Sequence, residues 1–138
     1  IQRHGLEDRV RPRQSDLFAA LEGEIYDLIV CNPPYVDAAR MAALPAEYRH
    51  EPAAALAGGD DGLTYALPVL AAAPHHLGAG GLLALEVGHS AAALQNRLPE
   101  LPLVWPELER GGHGIALIGA GDLLSHMTAI QQAAGRVG

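Results

Sequence analysis

Four consecutive residues carry the clearest chemistry in the chain, Asn32-Pro33-Pro34-Tyr35. The Asn32 side chain offers an amide oxygen that accepts and an NH2 group that donates. The two prolines fix their own backbone, and Pro33 presents a carbonyl with no competing N–H. Tyr35 supplies a flat ring. Such a set suits a planar –NH2 group, which gives one hydrogen to the Asn32 oxygen and the other to the Pro33 carbonyl. Its nitrogen lone pair is then left facing an electrophile. The plain alternative for the same four residues is a proline turn closing a strand.

Other polar residues are less specific. Asp16 stands where a short strand would end and can accept from an exocyclic amine or cap the turn that begins at Leu17. Glu86 lies in an apolar run, where an unpaired carboxylate is costly, so it faces a pocket at the strand end or pairs with an arginine. Arg49, His50 and Glu51 make a mixed donor and acceptor cluster on a loop, or a solvated loop and nothing more. His75 and His76 close a helix, where the dipole favours them without any catalytic role. His89 and His113 are isolated in loops. No spacing of histidine, Cys31 and carboxylates matches a zinc site, so no metal is expected. Cys31 reads as a small buried hydrophobe. Gly78, Gly80 and Gly81 lack the lysine and the strand-to-helix order of a phosphate loop, and no serine stands in a nucleophile elbow.

The elements that must position these residues follow from the apolar pattern. Tyr26–Cys31 is an unbroken apolar run after Asp27, as in a parallel strand covered on both faces, and the double proline ends it. Leu63, Leu67 and Leu70 mark a helix capped by Asp60 or Asp61 and running to about Leu77. Pro68 interrupts it and must kink it or move its start, at a cost of about 3 kcal/mol if truly mid-helix. Gly78–Gly81 reads as a turn, Leu82–Val87 as the second strand, and Ser90 as the cap of a helix over Ala91–Leu98. Leu103–Leu108 and Ile115–Ile118, joined through Arg110–Gly114, read as an antiparallel hairpin. Val10–Gln14 is a weak edge strand containing Pro12, Leu17–Leu21 and Arg40–Leu44 are short helical turns, and Ile1–Gly5 looks like the end of a helix stopped by glycine. The expected class is α/β with a mostly parallel sheet and one antiparallel element, and ligands then sit beyond the carboxyl ends of the strands.

A chain of 138 residues, 49% hydrophobic and 18% charged, fits one domain with a sizeable core. The formal charge of −7 disfavours a surface that tracks phosphates; all nine basic residues are arginine. A single cysteine allows no internal disulfide and points to a reducing compartment. There is no apolar run of membrane-spanning length and no signal-peptide layout, so the expectation is a cytoplasmic protein without membrane contact.

Asn32-Pro33-Pro34-Tyr35 after a hydrophobic strand resembles the catalytic motif shared by adenine-N6 and protein glutamine-N5 methyltransferases. The flanks narrow this. Tyr26 to Asp37, Met41, Leu44-Pro45, Tyr48 to Pro52, Leu56-Ala57, Gly59 to Leu63, Leu85 to Gly88 and Glu109 to Gly114 together resemble the HemK/PrmC group of glutamine methyltransferases. Arg49-His50, the surroundings of Trp105 and Gly111-Gly112 look most like the branch acting on ribosomal protein uL3, with the release-factor branch next. The resemblance implies a class I, Rossmann-like methyltransferase fold with S-adenosyl-L-methionine as cofactor and uL3 as protein partner, and no direct binding of nucleic acid. It implies that Asn32 and the Pro33 carbonyl hold the glutamine amide and Tyr35 packs on it, with Pro34 completing the motif. It further implies that Arg49, His50 and Glu51 contact substrate, and that Asp16, Leu17, Phe18 and Asn32 adjoin the cofactor. Residues 1–124 then form the C-terminal portion of the catalytic domain, and 125–138 a divergent, flexible tail. The glycine-rich loop and acidic residue that hold the rest of the cofactor in this group have no counterpart here and are expected upstream. With the usual strand order 3-2-1-4-5-7-6, these residues alone are expected to expose apolar strand faces and to bind cofactor weakly. The rival expectations are an adenine-N6 nucleic acid enzyme and an inactive fragment that binds a ribosomal partner.

Overall fold

The computed structural model describes residues 1–43, 52–109 and 112–135. The aliphatic run after Asp27 forms strand β1, Tyr26–Cys31, which pairs in parallel with β2, Leu77–Glu86. Strand β3, Ile115–Gly119, lies antiparallel on the far side of β2. The sheet order is thus β1-β2-β3, and the class is α/β with a small mixed sheet.

Helices α1 (Ala38–Ala43), α2 (Ala66–Ala72), α3 (Ala91–Arg97), α4 (Ala120–Ser125) and α5 (Met127–Ala134) complete the described elements. Packing follows the two periodicities. On β2 and one residue past its end, the alternate residues Leu83, Leu85 and Val87 are wholly buried. They join Leu63, Leu67 and Leu70 from α2 and its approach, Leu94 from α3, Leu123 from α4 and Ile130 from α5 in one core. Helix α2 packs on α5, and α4 on β2. The other parity is open: Leu28 and Val30 of β1 and Leu82 of β2 are exposed. Among the described residues no helix is long and apolar enough to cross a membrane.

Several sequence expectations are revised, each for a local reason. Helix α2 starts at Ala66, so Pro68 falls in its first turn, where the missing N–H costs no helical bond. Asp61 does not cap it; its Oδ1 accepts from the Leu63 N–H at 3.0 Å and its Oδ2 from Arg97 Nη2 at 2.7 Å. Gly78–Gly81 is not a turn between elements but part of β2. Tyr26 pairs with Leu77 and Leu28 with Leu82, so the glycines form a bulge, with Gly80 at φ 80°.

The expected hairpin partner, Leu103–Leu108, is reduced to one bridge in which Val104 and Leu117 exchange bonds of 3.0 and 2.8 Å. Pro102 and Pro106 stand two residues either side of Val104, at the next hydrogen-bonding positions, and neither has an N–H to give. Val10–Gln14, interrupted by Pro12, makes no strand either. Ile1–Gly5 does end as a helix would: a 3-10 turn over Gln2–His4 is stopped by Gly5 at φ 60°.

The segment expected as a flexible tail is helical. α5 buries Ile130 and Ala133, and with Met127 and Ala134 they recur at helical spacing, so the amphipathic stripe is present in the sequence itself. Residues 136–138 lie outside the described residues.

Candidate functional site

Because β1 and β2 run parallel, their carboxyl ends fall side by side. The loop after Cys31 therefore meets the exit of β2 at Glu86 to Ser90. The double proline takes the chain out of β1 into an extended segment that reaches α1, whose start is capped by Asp37 Oδ1 accepting from the Arg40 N–H at 2.9 Å.

Within the motif, the last residue is held and the front is free. Pro33 is buried and Asn32 exposed. Among the described residues, neither the Asn32 amide nor the Pro33 carbonyl is engaged in a hydrogen bond. Tyr35, by contrast, is fixed at both ends. Its hydroxyl donates to Glu86 Oε1 at 3.1 Å, and its carbonyl accepts from Ser90 Oγ at 3.1 Å. The next residue locks the loop onto a second one: the Val36 N–H donates to the Leu56 carbonyl and the Gly58 N–H to the Val36 carbonyl, both at 2.8 Å. Two glycines make this closeness possible. A Cβ on Gly58 would lie 2.7 Å from the Tyr35 Cα, and a Cβ on Gly88 would press into the Tyr35 ring, 2.9 Å from Cζ and 3.0 Å from Cδ2.

The electrostatics agree with the geometry. The Tyr35 phenol is pushed above its usual range, first by burial, then by the Glu86 charge and by the hydrogen bond to that carboxylate. It therefore stays a donor at neutral pH. Burial also raises the Cys31 thiol, which disfavours the thiolate a nucleophile would need.

Glu86 thus has its partner in the Tyr35 hydroxyl rather than in an arginine. Ser90 precedes α3 but makes no side-chain cap, and its hydroxyl instead donates to the Tyr35 carbonyl. Gly58, Gly88 and Ser90 were not expected as site builders. The available signal was the sequence Glu86-Val87-Gly88-His89-Ser90 at the end of a strand adjacent to β1.

The structure does not bring Asp16, Leu17 and Phe18 to Asn32. Phe18 stacks on His76 with centroids 4.7 Å apart and planes 9° from parallel. His76 immediately precedes β2, and its carbonyl accepts from the Tyr26 N–H at the start of β1. These residues stand at the opposite end of β1 from the motif, about 20 Å away at ~3.3 Å per residue. Asp16 is exposed, and Leu17 takes a left-handed φ of 48°, unusual for a residue with a Cβ. His75, His89 and His113 are exposed. Arg49, His50 and Glu51, with Tyr48, lie outside the described residues, as do Arg110 and Gly111.

A loop clamped at Tyr35 and Val36 that leaves two neighbouring acceptors without hydrogen bonds can receive a planar donor of two hydrogens. It contains no activated nucleophile. Comparison with known proteins adds a chemical context. The chain is 49% identical over 118 residues to a protein of Bordetella pertussis named ribosomal protein uL3 glutamine methyltransferase, covering 86% of this chain and 40% of that protein. A protein of the same name from Francisella tularensis subsp. tularensis is 41% identical over 132 residues, covering 96% of this chain and 42% of its own length. The chain therefore spans about two fifths of the length of these curated relatives. No family model and no solved structure matches it.

Proposed function

We propose that this chain, a sequence relative of the uL3 glutamine methyltransferases, carries the acceptor end of a methyl transfer to the side-chain amide N5 of a glutamine in ribosomal protein uL3. The observation that carries the reading is the open pair of acceptors, Asn32 and the Pro33 carbonyl, on a loop whose neighbour Tyr35 is fixed at both ends. A neutral amide is a weak nucleophile. Two acceptors that take its hydrogens orient its lone pair and draw electron density toward nitrogen, and the rigid loop has already met the cost of alignment. Pro34 keeps the Pro33 carbonyl from turning, and Tyr35 supplies the wall against which the amide plane lies.

S-adenosyl-L-methionine is the methyl donor in this proposal, and the class I, Rossmann-like fold is its frame. The described residues fit the acceptor and not this donor. Asp16, Leu17 and Phe18 stand at the wrong end of β1, and one face of the Phe18 ring is taken by His76. Arg49, His50 and Glu51 are proposed to contact the protein substrate, and the reaction to take place in the cytoplasm.

The test is transfer of labelled methyl from S-adenosyl-L-methionine by the full-length gene product, with uL3, a release factor and unmethylated DNA offered side by side. The expected outcome is label on a uL3 glutamine, lowered about 100-fold or more by Asn32→Ala, the scale of losing one preorganised polar contact to the reacting group. Label on DNA would reject the substrate, and activity retained in Asn32→Ala would reject the site.

A further inference from the structure

The geometry points to Glu86 as a positioning residue for the acceptor loop: its carboxylate, from the neighbouring strand, holds the Tyr35 ring against Gly88 and so fixes the wall beside Asn32 and Pro33. This rests on the reading of those two residues as the amide-binding pair.

Four observations meet here. Glu86 is the last residue of β2, with the parity of the open sheet face, so nothing in the hydrophobic core requires a carboxylate at this position. Its Oε1 accepts from the Tyr35 hydroxyl at 3.1 Å, across 51 residues of sequence. The Tyr35 ring fills the space where a Cβ on Gly88 would stand, so the ring is confined on that side as well as at its tip. Ser90 holds the Tyr35 carbonyl at 3.1 Å from the same stretch of chain. The exit of β2 therefore grips one residue of the motif by its hydroxyl, its ring and its backbone.

A ring with a free hydroxyl would turn about χ1 and χ2 between rotamers. A hydrogen bond to an ionised carboxylate is among the stronger neutral-to-charged contacts, and here it selects one orientation. An amide bound between Asn32 and Pro33 then meets a wall in a constant place. The effect belongs to alignment of the reacting group rather than to its capture, so it falls on kcat more than on KM.

The test uses the full-length gene product and a double-mutant cycle. Glu86→Ala is expected to lower kcat about tenfold with KM for uL3 within about twofold, the scale of one charge-assisted hydrogen bond. Glu86→Gln keeps an acceptor oxygen in the same place and restores kcat to within about threefold. Glu86→Ala added to Tyr35→Phe lowers it little further, because the contact is already gone. A merely structural role would not lower kcat at near-constant KM with rescue by Glu86→Gln; the contact itself is followed by the Tyr35 phenol titration, read by ring-labelled NMR and assigned by its absence in Tyr35→Phe. It shifts down in both Glu86 variants.

Additive losses, an unchanged kcat in Glu86→Ala, or a phenol midpoint that does not move would each overturn the inference. Glu86→Gln, isosteric with the native residue, keeps the test open should Glu86→Ala fail to fold. Wild-type transfer to a different acceptor would reject uL3 alone, and the same cycle run on that acceptor would still decide the role of Glu86. Absence of wild-type transfer to any acceptor would overturn the reading and this inference together.

Discussion

The two faces of the sheet are built from the same aliphatic residues and have opposite fates. Leu83 and Leu85 of β2 are wholly buried, while Leu28 and Val30 of β1, in register with Leu82 and Ala84, are 54% and 74% exposed. Composition alone does not separate them, since both faces read as core. What separates them is the placement of the described helices, which contribute to one core against one side. The motif loop leaves the sheet at the junction of the two environments. Pro33 is buried, Asn32 is exposed, and Tyr35 crosses to a carboxylate with the parity of the open face.

The largest difference between the faces is expected from truncation. Leu85→Ala should destabilise by about 2–5 kcal/mol in denaturant unfolding, because it removes a buried side chain and leaves a void among residues that relax only partly. The same experiment on Val30→Ser should change stability by less than about 0.5 kcal/mol, as for an exposed position. A cost for Val30→Ser in the full-length gene product that approached that of Leu85→Ala would break the comparison, and would mean that the open face is covered there.

The junction should show an intermediate effect. Gly88→Ala places a methyl group in the Tyr35 ring and asks alanine to hold a φ of 49°. Overpacking of this kind costs about 1–3 kcal/mol, and movement of the ring relieves part of it. Methyl transfer should therefore fall further than stability does. Equal activity of Gly88→Ala and wild type, with unfolding unchanged, would show that the ring has room the geometry denies it.

Legibility in the sequence divides along the same line. The strand Tyr26–Cys31, the double-proline stop and the leucines of α2 were readable because each rests on local rules: an aliphatic run, a missing N–H, a 3.6-residue period. Glu86 was recognisable as needing a partner, but its partner lies 51 residues away and was unreadable without the parallel register that sets β1 beside β2. Ser90 looked like a cap and is a clasp for Tyr35, since a hydroxyl before a helix has two uses that one-dimensional spacing cannot rank. The hairpin expectation failed for the opposite reason. The information is local, in Pro102 and Pro106, whose missing N–H groups outweigh the apolar pattern around them.

The smallest expected effect compares two titrating groups, one on each face. Cys31 pairs in register with the buried Leu85, and its thiol is raised from 9.0 by burial alone. Tyr35 is raised from 10.0 by burial together with the Glu86 charge and hydrogen bond. In both cases the folded pKa lies above the unfolded one. Below the unfolded value both states keep the proton, and the full contribution to stability is present. As pH rises past it the unfolded chain loses the proton first, so stability falls through the window up to the folded pKa. For Cys31 that decline begins near pH 9, and for Tyr35 near pH 10. Unfolding measured from pH 8 to 11 should therefore show a slope that Cys31→Ala removes from the lower part and Tyr35→Phe from the upper part. Glu86→Gln should reduce only the Tyr35 share, because its charge acts on the phenol and is not among the causes that raise the thiol. If Glu86→Gln altered both shares equally, the two groups would not belong to separate environments, and the distinction between the covered and open faces would lose its electrostatic support.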